Sequence, residues 1–525
     1  MNKIYKSFLK FARNNFRRNL SWLDRDEDSP TYGSFDRNFW HYKVTDYNSD
    51  ILQQGTYTLI ALYKREIPNN YSKKRIKNLI IASTNFIFDS FKKRGFFNEY
   101  YPNEMGYPPI AFLSNLLGDI FFEFPDFFEN KKFKNNYINL NIYLSKLDEK
   151  QAANQYSMAL SGLYKFLNFF PEYKNKTEIE LHKKKFLSLQ SDEGWFYEYG
   201  GFDLGYLSIT LESLVNIYEI TNDKDFLISI NLIISFYSKI IDKNGKFPYT
   251  LNSRNTEYIL PFGFIKASKF NKNSEALFYF MFKDFSNFSN FANSTDDRYI
   301  SHYIFASIVK SLPDLKNKRK IKKFTFKKDV FFKKAGIIKK YVHEKNKTIY
   351  IGLFKGGILR IHNHENKSVN LQNGYRALNL NYIATNNYQS NIWKSKIFKN
   401  KYIISGKFIK CGFIESSTFK HFALRLSSYF FKNKLIKYLK NNLIFNKPDQ
   451  KLIFKRKIII KNKIIIIDTF EGFKNFKLKL NNKQNLRYVA SADTFSDEDF
   501  SEEIIKMNLI NVNKDKLKII NNYNL

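Results

Sequence analysis

Six short stretches of this 525-residue chain mix carboxylates, amides, arginines and aromatic rings. They are Asp36-Arg-Asn-Phe-Trp-His-Tyr-Lys, Phe97-Asn-Glu-Tyr-Tyr-Pro-Asn-Glu and Asp148-Glu-Lys-Gln-Ala-Ala-Asn-Gln. The others are Asp192-Glu-Gly-Trp-Phe-Tyr-Glu-Tyr-Gly-Gly-Phe-Asp-Leu-Gly-Tyr, Asn252-Ser-Arg-Asn-Thr-Glu-Tyr and Ser294-Thr-Asp-Asp-Arg-Tyr. Such mixtures suit a sugar chain, because rings stack on pyranose faces while polar groups bind hydroxyls and acids. Trp40, His41, Glu99, Tyr100, Gln155, Trp195, Glu198, Tyr199, Asp203, Glu257, Tyr258 and Arg298 are the candidate substrate-binding residues. The competing reading is that these groups are helix caps and loop-packing aromatics.

The stretch 192–206 is the densest. Gly194, Gly200, Gly201 and Gly205 permit tight turning, which lets Glu198, Tyr199, Asp203 and Tyr206 converge. Tyr206 follows Asn154 by 52 residues. A phenol titrates near 10 and needs a neighbouring cation to act as a base. Arg254 and Arg298 are the candidates, each with an alternative role in an ion pair, with Glu257 or Asp297. His362 and His364 follow the strand-like run Gly357-Ile-Leu-Arg-Ile-His, and alternation puts both on one face.

Helical patterns recur about every 50 residues, and each chemical stretch precedes one of them. They begin near Leu52, Pro109, Ala153, Asp203, Tyr258 and Tyr299, with more charged amphipathic segments between. This pattern predicts five or six helical hairpins closed into an α/α toroid over residues 51–315, behind an N-terminal extension at 1–50. In such a ring the inner helices point their N-termini at one face. The six stretches then surround a single cleft, and Asn154 and Tyr206 lie on adjacent hairpins. Helix N-termini add partial positive charge for an acidic ligand.

After a basic linker at 316–330 the period changes. Short β-branched runs such as Lys347-Thr-Ile-Tyr-Ile and Lys463-Ile-Ile-Ile-Ile predict an antiparallel β-sandwich over 331–525. The fold class is therefore α+β and multidomain.

The net charge is +37. Residues 316–525 hold 46 Lys+Arg against 14 Asp+Glu, whereas residues 1–315 are nearly balanced at 40 against 35. The C-terminal part suits a polyanion (an acidic polysaccharide, a nucleic acid or an anionic membrane), or is simply a solvated lysine-rich surface. An acidic polysaccharide fits better than nucleic acid, because the aromatics gather in the balanced half and no recognition motif occurs. A single cysteine, Cys411, excludes a disulfide framework and any cysteine-built metal cage. No apolar run approaches 18 residues, and the basic start lacks a signal-like core, so the chain is expected to be cytoplasmic by default, with periplasmic or surface association left open. No cofactor is expected; a structural metal in the β-domain is admitted but has no dense ligand cluster behind it. The acidic island Ser496-Asp-Glu-Asp-Phe-Ser-Glu-Glu has no functional reading.

The toroid, the following sandwich, the Asn154-Gln155 pair at an inner helix start and the glycine-rich loop ending at Tyr206 together resemble the heparinase II/III-type polysaccharide lyases. The resemblance spans most of the chain as architecture and is loose as motif. It implies that Asn154 neutralises a uronate carboxylate, that Tyr206 transfers the proton, and that a β-domain histidine assists. His362-Asn-His-Glu-Asn stands where the family often has His-Gly-His-Ala-Asp, keeping both histidines and losing the Gly and the Asp. The implied reaction is β-elimination: neutralising the carboxylate makes the C5 proton removable, a Tyr or His takes it, and the Tyr can return a proton to the O4 leaving group.

Three rivals stay open. A toroidal glycoside hydrolase needs two carboxylates, for which Glu198, Asp203 and Glu257 are available. A uronyl epimerase abstracts the same proton and leaves the chain uncut. A non-catalytic relative binds acidic polysaccharide, for instance in surface-polysaccharide assembly, through charge alone.

Overall fold

The computed structural model describes residues 3–173, 176–283, 295–316, 322–366, 368–380, 382–412, 415–481 and 510–525. The acidic island at 496–503 lies outside them.

The N-terminal part is an α/α toroid. Helices α1 (Lys3–Leu20) and α2 (Arg37–Trp40) precede five hairpins. These are α3 (Thr56–Tyr63) with α4 (Lys73–Arg94), α5 (Tyr107–Glu123) with α6 (Lys131–Leu144), α7 (Ala153–Phe169) with α8 (Lys176–Leu187), α9 (Leu204–Thr221) with α10 (Lys224–Ile240), and α11 (Phe262–Ala267) with α12 (Lys272–Phe282). The inner helices α5, α7, α9 and α11 pack on one another in turn. The helix Phe305–Leu315 then packs on both α11 and α3, and α5 meets the turn that leads into α3, which closes the ring. Helix α1 lies along Phe305–Leu315, so the chain's first and last toroid helices form the sixth pair.

Local chemistry sets the element ends. Ser72 caps α4, accepting from the Arg75 amide at 3.2 Å, and Gly95 ends it with φ of 76°. Asp203 caps α9, and Asn222 closes it in the left-handed region. Small residues let the inner helices approach. A Cβ on Gly162 of α7 would lie 2.1 Å from Ser114 Oγ of α5. The small residues at this contact are thus a packing requirement.

The ring axis is ionic. Tyr57, Asp119, Lys165, Glu212 and Lys310, one from each of five inner helices, meet there. Lys165 is buried 2.5 Å from Asp119, and desolvation pulls its ammonium down to about 8. The two lysines hold Asp119 well below the usual carboxylate range, against its own burial.

The C-terminal part is an antiparallel β-sandwich. One sheet runs in the order β1 (Val330–Phe332), β2 (Ile337–Val342), β3 (Lys347–Gly352), β4 (Ile358–Asn363), β5 (Val369–Gln372). The other contains β6 (Tyr375–Asn379), β7 (Tyr382–Thr385), β8 (Lys394–Phe398), β9 (Lys401–Cys411), β10 (Pro448–Ile460), β11 (Lys463–Glu471), β12 (Lys477–Leu480), β13 (Ile510–Asn511) and β14 (Lys516–Asn524). Its order is β13-β12-β6-β7-β9-β10-β11-β14, with β8 on β9. Ile349, Ile351 and Ile361 from the first sheet share a core with Ile404, Phe454 and Ile464 from the second. Within that core Arg456 is fully buried, bidentate to Asp468 at 2.8 Å, and donates to Gly357 O and Gln372 Oε1 of the opposite layer.

The first sheet presses its other face on the toroid. Tyr350 donates to Ile240 O at 2.8 Å, and Phe332 packs 4.8 Å from Phe236. A strand buried on both faces reads as an unbroken apolar run, as in Lys347-Thr-Ile-Tyr-Ile-Gly.

Candidate active site

The loops before the inner helices gather at one end of the ring, and the sandwich covers that end. Glu198 is the hub of one side. Its loop reverses at Tyr199 and Gly200, with φ of 48° and 100°, and the Glu198 amide donates to Gly201 O at 2.7 Å. Helix α7 has no side-chain cap of its own. The Asn154 amide instead donates to Glu198 Oε2 at 3.1 Å, and Asn154 Nδ2 donates to Oε1 at 2.7 Å. A helix N-terminus and two donors favour the carboxylate, yet burial outweighs them and pushes Glu198 up to about 8. Near pH 7 it is mainly a neutral acid.

Asp203 is consumed by structure. Its Oδ1 accepts from the Tyr206 amide at 3.2 Å and from the Thr256 hydroxyl, and its Oδ2 accepts from the Arg254 amide at 3.1 Å. These bonds tie the start of α9 to the loop 252–256. They hold the backbones of Arg254 and Tyr206 on one carboxylate, and the guanidinium is favoured electrostatically by Tyr206, Tyr199, Glu198 and Asp203. The guanidinium lies 4.2 Å over the Tyr199 ring. Gln155 donates to the Tyr199 hydroxyl at 3.1 Å. The neighbourhood of Asn154, Gln155, Glu198, Tyr199, Asp203, Tyr206 and Arg254 is therefore one cluster.

A file of tyrosines leads away from it. The Tyr206 ring lies 6.3 Å from Tyr258, whose hydroxyl is 2.7 Å from that of Tyr303. The Tyr303 ring is 6.5 Å from Tyr299, whose hydroxyl is 3.2 Å from that of Tyr100. There Arg298 lies 4.8 Å over the Tyr100 ring, 3.5 Å from Glu99 and 3.1 Å from Ser49 Oγ. Burial raises Glu99, with Arg298 opposing. Asp297, the alternative partner for Arg298, pairs with Arg18 instead. Glu104, buried and accepting from the Glu99 and Tyr100 amides at 2.7 Å, is pushed up to about 8.

The sandwich contributes a cation that the sequence did not single out. Lys440, from the segment between β9 and β10, is 2.9 Å from Glu149 and 5.7 Å over the Tyr199 ring. Its charge is also felt at Glu99. Lys355, buried, donates to Thr250 O at 2.8 Å and Asn252 O at 2.5 Å, and to Asn255 Oδ1, so it grips the loop that carries Arg254. Neither lysine stands out among the 86 Lys+Arg of the sequence, and no local signal marks them.

Several expected residues are occupied elsewhere. Trp195 packs in the toroid core and donates to Glu193, whose carboxylate accepts from the Lys334 and Ala335 amides. It serves the domain seam. His362 is buried where β4 meets the end of α10. Arg360 Nε donates to its Nε2 at 2.8 Å, and a guanidinium can only donate. The ring proton must then sit on Nδ1, facing Asp242 at 2.5 Å. Burial lowers this imidazole below its usual value. His364 Nε2 contacts the Thr348 hydroxyl at 2.7 Å. Both histidines thus lie at the seam, His362 against Asp242 and His364 against Thr348 and Tyr341, with the Asp242 charge reaching both. Trp40 donates to Trp22 O at 2.7 Å and lines a separate cavity of about 610 Å³ with Asp46 and Arg425; His41 is exposed beside it. Glu257 is half-buried near Tyr249. Among the described residues, no group of three or more His, Cys, Asp and Glu is placed to hold a metal ion.

No family model matches the chain, and no curated protein matches it. Solved structures do. The chondroitin AC lyase of Streptomyces coelicolor A3, in complex with chondroitin sulphate, aligns with a TM-score of 0.52 at 9% identity, over 91% of this chain and 67% of that one. The chain has the fold of that lyase. Heparinase III aligns at a TM-score of 0.48 and 10% identity, over 91% and 72% of the two chains. A mutant heparan sulfate lyase from Pedobacter heparinus aligns at 0.41 and 11%, over 92% and 71%. At these identities the likeness is one of fold. No helix among the described residues is long and apolar enough to cross a membrane.

Proposed function

We propose that this protein cleaves a uronate-containing acidic polysaccharide by β-elimination in the cleft between toroid and sandwich. The observation that carries the reading is the convergence of Arg254 and Tyr206 on Asp203, whose two oxygens take their backbone amides, with the Arg254 charge acting on the Tyr206 phenol. A positive charge beside a phenol favours its ionised form, which is the base the reaction needs. Asn154 and the neutral Glu198 lie on the neighbouring helix start, where a protonated carboxyl and an amide stabilise the negative charge that develops on a uronate carboxylate as C5 loses its proton. Tyr206 then returns the proton to the leaving oxygen. Arg298 and Lys440 supply positive charge along the cleft for the acids of neighbouring sugars.

The hydrolase alternative loses support from Asp203, whose two oxygens are tied to backbone amides and to Thr256. The histidines take no part in this scheme. The test is a panel of heparin, chondroitin and alginate, read by the ultraviolet absorbance of unsaturated ends. New absorbance that vanishes in Tyr206→Phe supports the proposal. New reducing ends without absorbance replace it by hydrolysis, and binding without cleavage replaces it by a carbohydrate-binding role.

A further inference from the structure

Between β9 and β10 the chain leaves the sandwich as two helices, Thr418–Phe431 and Asn433–Leu439. The first is inside out. Phe419, Phe422, Leu426, Tyr429 and Phe430 follow one another at helical spacing, and their exposures run from 50% to 78%. Tyr438 on the second helix is 64% exposed. A soluble surface rarely leaves so many large apolar side chains contiguous unless something covers them.

The rest of the insertion names the cover by its charge. From 415 to 447 the sequence holds Lys420, Arg425, Lys432, Lys434, Lys437, Lys440 and Lys447 against Glu415 alone. Lys420, Lys432, Lys434 and Lys437 are exposed beside the apolar stripe. Two of the other cations clip the insertion to the toroid: Arg425 is bidentate to Asp46 at 2.7 and 2.8 Å, and Lys440 pairs with Glu149. The stripe is thereby held outward. Phe, Leu and Tyr flanked by lysines is the composition of a helix that lies in the plane of a lipid–water interface. A second copy of a chain carrying +37 would bring lysines against lysines, which disfavours self-association through this face.

We propose that the helical insertion 418–439 is a membrane-surface anchor that seats its aromatic stripe in a bilayer containing anionic lipid. The inference is independent of the reaction assigned to the cleft. It is tested with the full chain by co-sedimentation with vesicles of phosphatidylcholine, with and without about one-third phosphatidylglycerol. The wild type is expected to bind the anionic vesicles, bind the neutral ones far less, and dissociate with added salt. The triple variant Phe419→Ser/Phe422→Ser/Leu426→Ser is expected to lose about tenfold or more in binding with unchanged melting temperature and elution volume. The variant Lys432→Glu/Lys434→Glu/Lys437→Glu is expected to lose binding too, and it decides the matter if the serine variant is unstable. The proposal is overturned if the wild type ignores anionic vesicles or if the charge-reversed variant still binds. It is overturned equally if the serine variant converts a dimer to a monomer, which would assign the stripe to a second copy, or loses heparin binding while retaining vesicle binding.

Discussion

Asn154 Nδ2 donates to Glu198 Oε1 at 2.7 Å, so the amide placed to meet a substrate acid already holds an acid of its own chain. The pair spans two repeats and lets Glu198 cap the start of α7, where the N-cap residue Ala152 offers no side-chain acceptor. A carboxyl at about 8 is neutral where the chain is expected to work. It is charged, and repels an acidic ligand, above that point.

Glu198→Gln therefore tests a pH effect. In the native state Glu198 binds its proton up to about pH 8, whereas in the unfolded chain it releases it near 4.5. Between those values the native state holds the extra proton, so stability falls as pH rises by up to about 1.4 kcal/mol per unit for this group. The difference in melting temperature between wild type and Glu198→Gln is expected to shift towards the variant from pH 5 to pH 8. Under the proposed reaction, turnover by the variant persists at alkaline pH where the wild type declines.

Tyr206→Phe keeps the ring that packs against Tyr258 and removes the hydroxyl. Turnover is expected to fall by about a hundred- to ten-thousand-fold with little change in KM or melting temperature. Arg254→Met is expected to lower turnover comparably and to move its pH optimum upward, because the phenol loses its cation. An unshifted optimum removes Arg254 from that role.

Lys355→Met should act on the cleft from a distance. It leaves Thr250 O and Asn252 O without their buried donor, at a cost of about 1–3 kcal/mol each at most. The loop carrying Arg254 is released, so turnover falls together with thermal stability. Hydrogen exchange in residues 250–256 rises.

Asp468→Asn removes the counter-charge of the buried Arg456 guanidinium in the sandwich core. The loss is expected to reach about 3–5 kcal/mol by denaturant unfolding. Replacing both by apolar residues of similar size is expected to recover much of it.

Gly162→Ala drives a methyl group into Ser114 and the Asn115 amide at the α5–α7 contact. A loss of about 1–3 kcal/mol is expected from overpacking. Pairing it with Ser114→Gly, which clears the closest atom, is expected to recover part of it.

The sequence by itself determined the architecture. Apolar runs at a period of about 50 residues require hairpins that bury their faces on one another, and the switch to β-branched runs after 330 requires sheets. It also determined that Asn154, Glu198, Tyr206 and Arg254 sit at equivalent ends of adjacent repeats, because a repeat fixes phase. What each group does there was decided only in three dimensions. Asp203 looks as available in the sequence as Glu198 does, yet its oxygens answer the amides of Tyr206 and of Arg254, in the loop before the next inner helix. Trp195 looks like a sugar platform and instead closes the seam through Glu193. Lys440 and Lys355 are ordinary lysines until the sandwich docks. Composition and spacing fix what a side chain offers; burial and the partners that folding brings within about 3 Å decide which of those offers remain open.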